Sequence, residues 1–205
     1  MSVGRIQISE KMRSSSARVA GDLIHWLPST KYIFAGFASI GLAIAGGAAD
    51  IESSIGKIED SCSSLSQTLK GFTSDGNVMG TALKLQGEAK DLLSIINDGK
   101  DTASNAENLS SADSDKLEDS VNSLSKSVFT LLDGFVEKKP VFQKAVLGGS
   151  ADGLVEKDLQ DLKGATDGLG KALENIVTGQ LKKDAPQILS DLDKHFDDAI
   201  KAFSD

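Results

Sequence analysis

Apolar residues recur at alternating spacings of three and four along most of residues 50–205. The first such stripe consists of Ile51, Ile55, Ile58, Cys62, Leu65, Leu69 and Phe72, with Ser, Lys, Glu and Asp between its members. This spacing places the apolar side chains on one face of an α-helix. No comparable run alternates strictly between apolar and polar positions, so the pattern favours helices throughout.

Five stripes of this kind predict five amphipathic helices. The predicted helices cover residues 50–72, 78–98, 112–138, 151–178 and 184–204. None of them is apolar all round, so no membrane span is expected in the mature form. Long amphipathic helices joined by short connections are typical of an all-α, antiparallel bundle of about five helices.

Local signals predict where these helices begin and end. Residues 99–110 are polar and interpreted as a loop, with Ser110 as the N-cap of the third helix. Pro140 is expected to stop that helix, because the residue before a proline is pushed out of the helical region. Gly179 is expected to close the fourth helix, and Pro186 to lie in the first turn of the fifth.

Residues 1–49 follow a different pattern. Residues 32–49 carry no charge, the preceding segment is positively charged, and Gly47 and Ala49 occupy the −3 and −1 positions of a cut before Asp50. These features predict a secretory signal cleaved between Ala49 and Asp50, with residues 1–31 loosely ordered and residues 50–205 forming the mature domain. A retained membrane anchor, a folded N-terminal helix and a start assigned too far upstream stay open as alternatives.

The charge of the chain narrows the range of partners. The sequence has 22 basic and 30 acidic residues, a net charge of −8, and the predicted leader holds five of the basic and two of the acidic ones. The remaining domain is therefore more acidic still, which disfavours nucleic acid and anionic membranes as partners. Aromatic residues make up only 5% of the chain, so the core is expected to be aliphatic.

Few residues offer catalytic or metal-binding chemistry. His195 is the one histidine of residues 50–205, and it is interpreted as a surface or boundary residue of the last helix. With one His and one Cys, a metal site built from several such ligands is excluded, and no cofactor is expected. Cys62 falls on an apolar stripe and is predicted to be a core residue. We therefore expect a non-enzymatic protein without catalytic residues.

Two further sites follow from the pattern. Asn108-Leu109-Ser110 is an N-glycosylation sequon in the predicted loop, which makes Asn108 a candidate glycan site. Glycines such as Gly164 and Gly168 lie inside a helical pattern and would remove volume from the core. The bundle could therefore have a filled core or an apolar cavity, which would accept an apolar ligand.

If a cavity exists, we expect it between the third, fourth and fifth helices, with the second helix closing one side. The ligand would be a long acyl chain, because the expected lining is aliphatic with Phe and carries no charge. The candidate lining residues are Leu92, Phe129, Leu132, Phe135, Phe142, Leu162, Leu169, Leu192 and Phe196.

Several segments together resemble the fungal hydrophobic surface-binding protein A family, which includes cell-wall galactomannoproteins. The segments that carry the resemblance are residues 50–55, 136–142, 148–150, 159–169 and 188–200. The resemblance implies a secreted or cell-wall helical bundle, expected to be a monomer, that binds hydrophobic surfaces or long-chain fatty acids and other lipids. Some relatives look like fatty-acid carriers with a tunnel between helices. Adhesion to surfaces and enclosed lipid transport both stay open, and the family has no catalytic motif to transfer.

Overall fold

The structure is a computed structural model that describes residues 47–145 and 150–204. Most of the predicted leader, including the loosely ordered segment expected at residues 1–31, lies outside the described residues. None of the helices described is long and apolar enough to cross a membrane.

Five α-helices account for nearly all of the described chain, as the apolar stripes predicted. They are α1 (Ala48–Lys70), α2 (Val78–Ser104), α3 (Ser111–Phe142), α4 (Asp152–Ile176) and α5 (Gly179–Ser204). The stripe of α1 is buried along its whole length. Ser110 is the N-cap of α3, as predicted, and its side chain accepts a hydrogen bond from the backbone N–H of Asp113 at 3.2 Å.

The second helix is longer than predicted. It continues past Gly99 to Ser104, through the first part of the expected loop. Gly99 and Ala103 are both buried and continue the spacing of Ile96, so the stripe goes on with small side chains. Residues this small give a weak apolar signal, which explains why the sequence pattern missed the last turn and a half. Asn108 lies beyond the helix in an exposed loop, and its glycosylation stays a prediction.

The expected stop at Pro140 is wrong, because α3 runs through this residue to Phe142. Phe142 is buried, and its ring lies 4.7 Å from Phe72, 5.9 Å from Phe203 and 6.0 Å from Phe135. These contacts hold the final turn of α3 in the core. These contacts outweigh the loss of one hydrogen bond within the helix, which Pro140 cannot donate because it has no N–H.

The boundary between α4 and α5 also differs from the prediction. Helix α4 ends at Ile176, and Gly179 begins α5 instead of closing α4. Gly179 has a φ of 67°, a left-handed conformation that glycine adopts without steric cost. Leu181 is buried just after it and extends the apolar stripe of α5 toward the N-terminus. As a result, Pro186 lies inside the helix and not in its first turn.

The five helices close into a ring. Helix α1 packs against α2 and α3, α4 packs against α2 and α5, and α5 packs against α3. Consecutive helices run antiparallel, but neighbours such as α1 and α3 are parallel. Ser123 of α3 donates to Glu59 of α1 at 2.6 Å. Helices α3 and α4 face each other across the interior of the ring, and the candidate site lies along that line.

Candidate apolar binding site

The centre of the ring is closed by side chains from all five helices. Its lining consists of Cys62, Leu92, Ile96, Val128, Leu131, Leu132, Phe135, Leu162, Thr166 and Phe196. The space left between them is about 10 Å³. A volume of that size holds at most one water molecule, so the middle of the bundle is a filled core.

A second cavity lies on one side of this centre, between the N-terminal part of α3, the C-terminal part of α4 and the first half of α5. We call it the α3–α4–α5 cavity, and its volume is about 70 Å³. It is lined by Val121, Leu124, Ser125, Val128, Thr166, Leu169, Gly170, Leu173, Glu174, Val177, Leu181, Ala185, Ile188, Leu189 and Leu192. Ser125 donates to the carbonyl of Val121 at 2.9 Å, so its hydroxyl is satisfied within its own helix.

Departures from the predicted stripes mark this cavity. Six positions on the apolar stripes of α2 to α5 are only half-buried, although the sequence pattern places them in the core. They are Ala82, Val121, Leu124, Thr166, Leu173 and Leu189. All of them except Ala82 line the α3–α4–α5 cavity, which accounts for their incomplete burial.

A third and larger cavity lies on the other side of the centre, between the first half of α2, the end of α3 and the beginning of α4. We call it the α2–α3–α4 cavity, and its volume is about 240 Å³. It is lined by Met79, Ala82, Leu83, Leu85, Gln86, Ala89, Phe135, Phe142, Ala145, Ala151, Leu154, Val155 and Asp158. Met79, Leu83 and Leu154 are exposed to solvent, and we call these three residues the rim patch.

The three cavities follow one another along the bundle. Val128 and Thr166 line both the α3–α4–α5 cavity and the centre, and Phe135 lines both the centre and the α2–α3–α4 cavity. Together they form an apolar path that the central side chains interrupt. From Val121 to Phe142 the path extends along α3 for roughly 30 Å at 1.5 Å per residue.

The predicted lining residues divide among these cavities. Five of them line the filled centre: Leu92, Leu132, Phe135, Leu162 and Phe196. Phe142 lines the α2–α3–α4 cavity, and Leu169 and Leu192 line the α3–α4–α5 cavity. Phe129 lines none of the three. Its ring stacks on His195 with centroids 4.0 Å apart, at the contact between α3 and α5. Whether the other eight contact a ligand stays a prediction.

The expected role of the two glycines is wrong. Gly164 is exposed, with no atom within 4 Å of the position a Cβ would take, and Gly168 faces the side chain of Lys100. Neither borders a cavity. The glycine that does is Gly170, where a Cβ would lie 2.0 Å from Cδ2 of Leu189. A helical periodicity alone does not tell which of several glycines faces a neighbouring helix.

Sequence reasoning also missed the rim patch. Leu83 and Leu154 lie one position away from the stripes of α2 and α4. Their positions beside the stripes could have predicted exposed apolar side chains, because a large apolar residue off the buried face of a helix points toward solvent. Asp158 is the one ionisable residue that lines this cavity, and partial burial raises the pKa of its carboxyl above the usual value.

Two further titratable groups, Cys62 and His195, lie in structural contacts. Burial, together with the charge of Glu59, raises the pKa of the Cys62 thiol to about 12, so this buried side chain stays protonated and unreactive. Nδ1 of His195 lies 2.9 Å from the carbonyl oxygen of Asp191. Within the described residues, no group of three or more His, Cys, Asp or Glu side chains could hold a metal ion.

Comparison with known proteins gives matches over most of the described chain. The family profile "Hydrophobic surface binding protein A" matches residues 48–175. Cell wall mannoprotein 1 of Aspergillus flavus is 27% identical over 151 residues, and its Aspergillus fumigatus counterpart is 30% identical. Both alignments cover 74% of this chain and 52% and 51% of the respective relative, so the chain spans about half the length of these curated relatives.

Solved structures match the bundle as well. The crystal structure of AFMP4P in complex with palmitic acid is 33% identical with a TM-score of 0.70, covering 76% of this chain and 99% of that one. Ligand binding domain 1 of the Penicillium marneffei MP1 protein, complexed with arachidonic acids, has a TM-score of 0.69 at 18% identity. It covers 77% of this chain and 99% of the domain, and at that identity the likeness shows the fold alone.

Proposed function

Because the chain belongs to the hydrophobic surface binding protein A family, we propose that its bundle binds long-chain acyl lipids in the apolar path between α3 and α4. The protein would act outside the cell, secreted or in the cell wall, as the names of its Aspergillus relatives suggest. The proposed function is binding and not catalysis, as the family description and the names of the relatives indicate.

The α2–α3–α4 cavity carries this proposal. It is apolar over nearly its whole lining, has a volume of about 240 Å³, and opens to solvent beside the rim patch. Burial of ten methylene groups contributes about 8 kcal/mol before entropic costs, so an acyl chain gains useful affinity without a salt bridge. The palmitic acid complex of AFMP4P, which shares this fold at 33% identity, supports an acyl ligand.

A full-length acyl chain needs more room than this cavity offers in the present arrangement. The next space along the bundle is the filled centre, and Phe135 forms the wall between the two. A chain that enters the α2–α3–α4 cavity would have to displace the ring of Phe135 to go deeper. We therefore expect ligand binding to rearrange the central side chains while the helical ring persists.

A second function, attachment to hydrophobic solids, is favoured by the rim patch itself. Exposed apolar side chains that lie together on a soluble protein mark interaction surfaces. The rim patch places three such side chains at one end of the bundle. Attachment through this patch needs no internal ligand, and this distinguishes it from the first function.

The proposed site can be tested with a substitution that fills the α2–α3–α4 cavity. Ala89 is buried and lines the α2–α3–α4 cavity, so Ala89→Phe places a ring in the space that the ligand would occupy. We expect the affinity for a fluorescent palmitate analogue to fall at least about tenfold, since several buried methylene contacts are lost. Ala112→Phe is the matched control, because Ala112 is exposed on α3 and lines none of the three cavities. Equal affinities of the two folded variants would contradict the proposed site, as would native mass spectra of the secreted protein without bound lipid.

Secretion has its own test. The predicted cleavage before Asp50 would remove Gly47, the N-cap of α1, and the first two residues of that helix. The backbone N–H of Gly47 donates to Asp50 at 3.3 Å, so the cut would also remove this contact. We expect N-terminal sequencing of protein from culture medium to begin at Asp50. Intact Met1 in cytosolic protein would contradict the extracellular function.

A further inference from the structure

We propose that the rim patch is the portal of the α2–α3–α4 cavity, which docks on an uncharged or zwitterionic lipid surface and passes acyl chains directly between that surface and the cavity. This inference rests on the proposed acyl-lipid binding. It adds the route by which the ligand arrives and the kind of surface from which it comes.

The first observation is where the exposed apolar side chains lie. Among the described residues, four large hydrophobic side chains are exposed: Met79 at 45%, Leu83 at 62%, Leu154 at 43% and Val136 at 40%. Single exposed apolar residues scattered over a surface are ordinary. Here three of the four line one cavity, and the fourth lines neither that cavity nor the α3–α4–α5 cavity.

The second observation is that the patch is continuous with the interior. The same cavity that Leu83 and Leu154 line at the surface is lined in the core by Leu85, Ala89 and Phe142, all of which are buried. The polar lining residues are Gln86 and Asp158 alone. An acyl chain can therefore move from the rim to the core with apolar contacts along its whole length, without first crossing a polar barrier.

The other end of the bundle lacks this arrangement. None of the exposed large hydrophobic side chains lines the α3–α4–α5 cavity. That cavity is also reached from solvent, since Leu124, Leu173 and Leu189 in its lining are only half-buried. It differs from the α2–α3–α4 cavity in its smaller volume and in having no exposed large hydrophobic side chain at its edge.

The charge of the protein determines which kind of lipid surface the rim patch can contact. The chain has a net charge of −8, and no Lys, Arg or His lines the α2–α3–α4 cavity. The lysines next to the rim patch in sequence are paired, Lys84 with Glu88 at 3.3 Å and Lys157 with Asp161 at 2.6 Å. Lys90 also lies near Asp158, but the net negative charge of the chain still repels an anionic membrane. An uncharged or zwitterionic surface meets only the apolar rim.

Direct transfer has a kinetic signature. A lipid that leaves the protein through water dissociates at a rate that does not depend on the acceptor. A lipid that passes through a docked rim moves only during collisions, so its transfer rate rises in proportion to the concentration of acceptor vesicles. The experiment loads the full-length secreted protein with anthroyloxy-palmitate and mixes it with phosphatidylcholine vesicles that contain a quencher.

We expect the transfer rate to increase linearly with vesicle concentration and to be lower with phosphatidylglycerol vesicles at low salt. The Leu83→Ser variant should transfer about tenfold more slowly, since the apolar contact of one leucine with the lipid surface is lost. Because Leu83 also lines the cavity, the equilibrium affinity of this variant is measured alongside. A weaker affinity alone would speed the release of the lipid, so slower transfer reports the loss of docking. Val136→Ser is the matched control and should leave the transfer rate unchanged.

Each other outcome overturns a defined part of the inference. Normal binding with a transfer rate independent of vesicle concentration would overturn the portal and leave the proposed function intact. Equal slowing by Leu83→Ser and Val136→Ser would overturn the assignment to the rim patch. If the unmodified protein does not bind the probe at all, the proposed acyl-lipid binding fails and the portal fails with it.

Discussion

The two end cavities of the bundle share helices α3 and α4 but differ in size and access. The α3–α4–α5 cavity has about 70 Å³ and no exposed large hydrophobic residue in its lining, whereas the α2–α3–α4 cavity has about 240 Å³ and three. At the first end, Gly170 lets Leu189 approach α4 closely. At the second end, Ala89 and Ala151 are small and buried, and the side chains of Met79 and Leu83 point outward to solvent.

This difference teaches that one amphipathic ring can hold a small cavity at one end and, at the other, a larger cavity with an exposed apolar rim. Both ends carry apolar lining residues at helical spacing, so the stripes alone do not separate them. At the α3–α4–α5 end, Leu189 fills the space beside Gly170. At the α2–α3–α4 end, the small residues Ala89 and Ala151 line the larger cavity.

The largest expected effect comes from Phe135, which lies between the α2–α3–α4 cavity and the filled centre. Phe135→Ala should lower the free energy of unfolding by about 3–5 kcal/mol, because it removes a buried ring and leaves a cavity. The same change joins the α2–α3–α4 cavity to the centre, so the variant should favour longer acyl chains. Urea unfolding and a chain-length series of fatty acids measure the two effects.

Phe129→Ala is the matched control for this prediction. Phe129 is half-buried and stacks on His195, but it lines none of the three cavities. We expect a smaller loss of stability and no change in the preferred chain length. A shift toward longer chains in this control would show that the wall at Phe135 does not limit ligand length.

The next effect concerns the α3–α4–α5 end and compares two glycines of α4. Gly164→Ala should stabilise the protein by about 0.5–1 kcal/mol, since Gly164 is exposed and alanine is the better helix former. Gly170→Ala should instead destabilise it by about 1 kcal/mol, because the new methyl group overlaps Leu189. Thermal or urea unfolding of both variants measures the difference.

The double variant Leu189→Ala/Gly170→Ala tests whether overlap with Leu189 causes the loss of stability. With the leucine truncated, Gly170→Ala should change sign and stabilise the protein, since the overlapping atoms are gone. If Gly170→Ala remained destabilising in that background, the close contact of α4 with α5 would not explain the small volume of the α3–α4–α5 cavity.

A smaller effect concerns the charge of Asp158 in the α2–α3–α4 cavity. Partial burial is the main reason that the pKa of Asp158 is raised, and Asp161 raises it further, while Lys90 and Lys157 oppose the shift. The ionised carboxylate therefore destabilises the folded state, and this cost appears as the pH rises above 3.8 through the folded pKa. Asp158→Asn should be more stable than the parent at pH 7 and equal to it near pH 3. Equal stability at both pH values would contradict this assignment.

The smallest effect concerns the outer face of the contact between α4 and α5. Lys163 lies 2.8 Å from Asp193, 3.7 Å from Asp197 and 3.8 Å from Asp167. The hydrogen bond from Lys163 lowers the pKa of Asp193, so its contribution is present above pH 3.8 and is lost as the pH falls through the lower folded pKa.

A substitution of Asp193 tests its ion pair with Lys163. Asp193→Asn should cost about 0.2–1 kcal/mol at pH 7, since the side chain is partly exposed to solvent. Asp198→Asn is the control, because Asp198 forms no ion pair within the described residues and should have no effect. If added salt at 1 M left the difference between the two variants unchanged, an ionic contribution would be ruled out.

Much of the fold could be predicted from the sequence because helical periodicity is a local property. The stripe of α1 was predicted residue by residue, and the N-cap at Ser110 followed from its side-chain chemistry. Helix ends were predicted less well. Pro140 and Gly179 have strong local preferences, but the rings around Phe142 and the burial of Leu181 override them through contacts distant in the sequence.

The candidate site shows the same division. The sequence by itself determined that the interior is apolar, that Leu92, Leu162 and Phe196 point into it, and which family the chain resembles. Only the tertiary structure decided that these residues fill the centre and that free space lies at the two ends. The physical reason is that a helical stripe specifies the direction of each side chain within its own helix, whereas free volume depends on which side chain of another helix lies opposite.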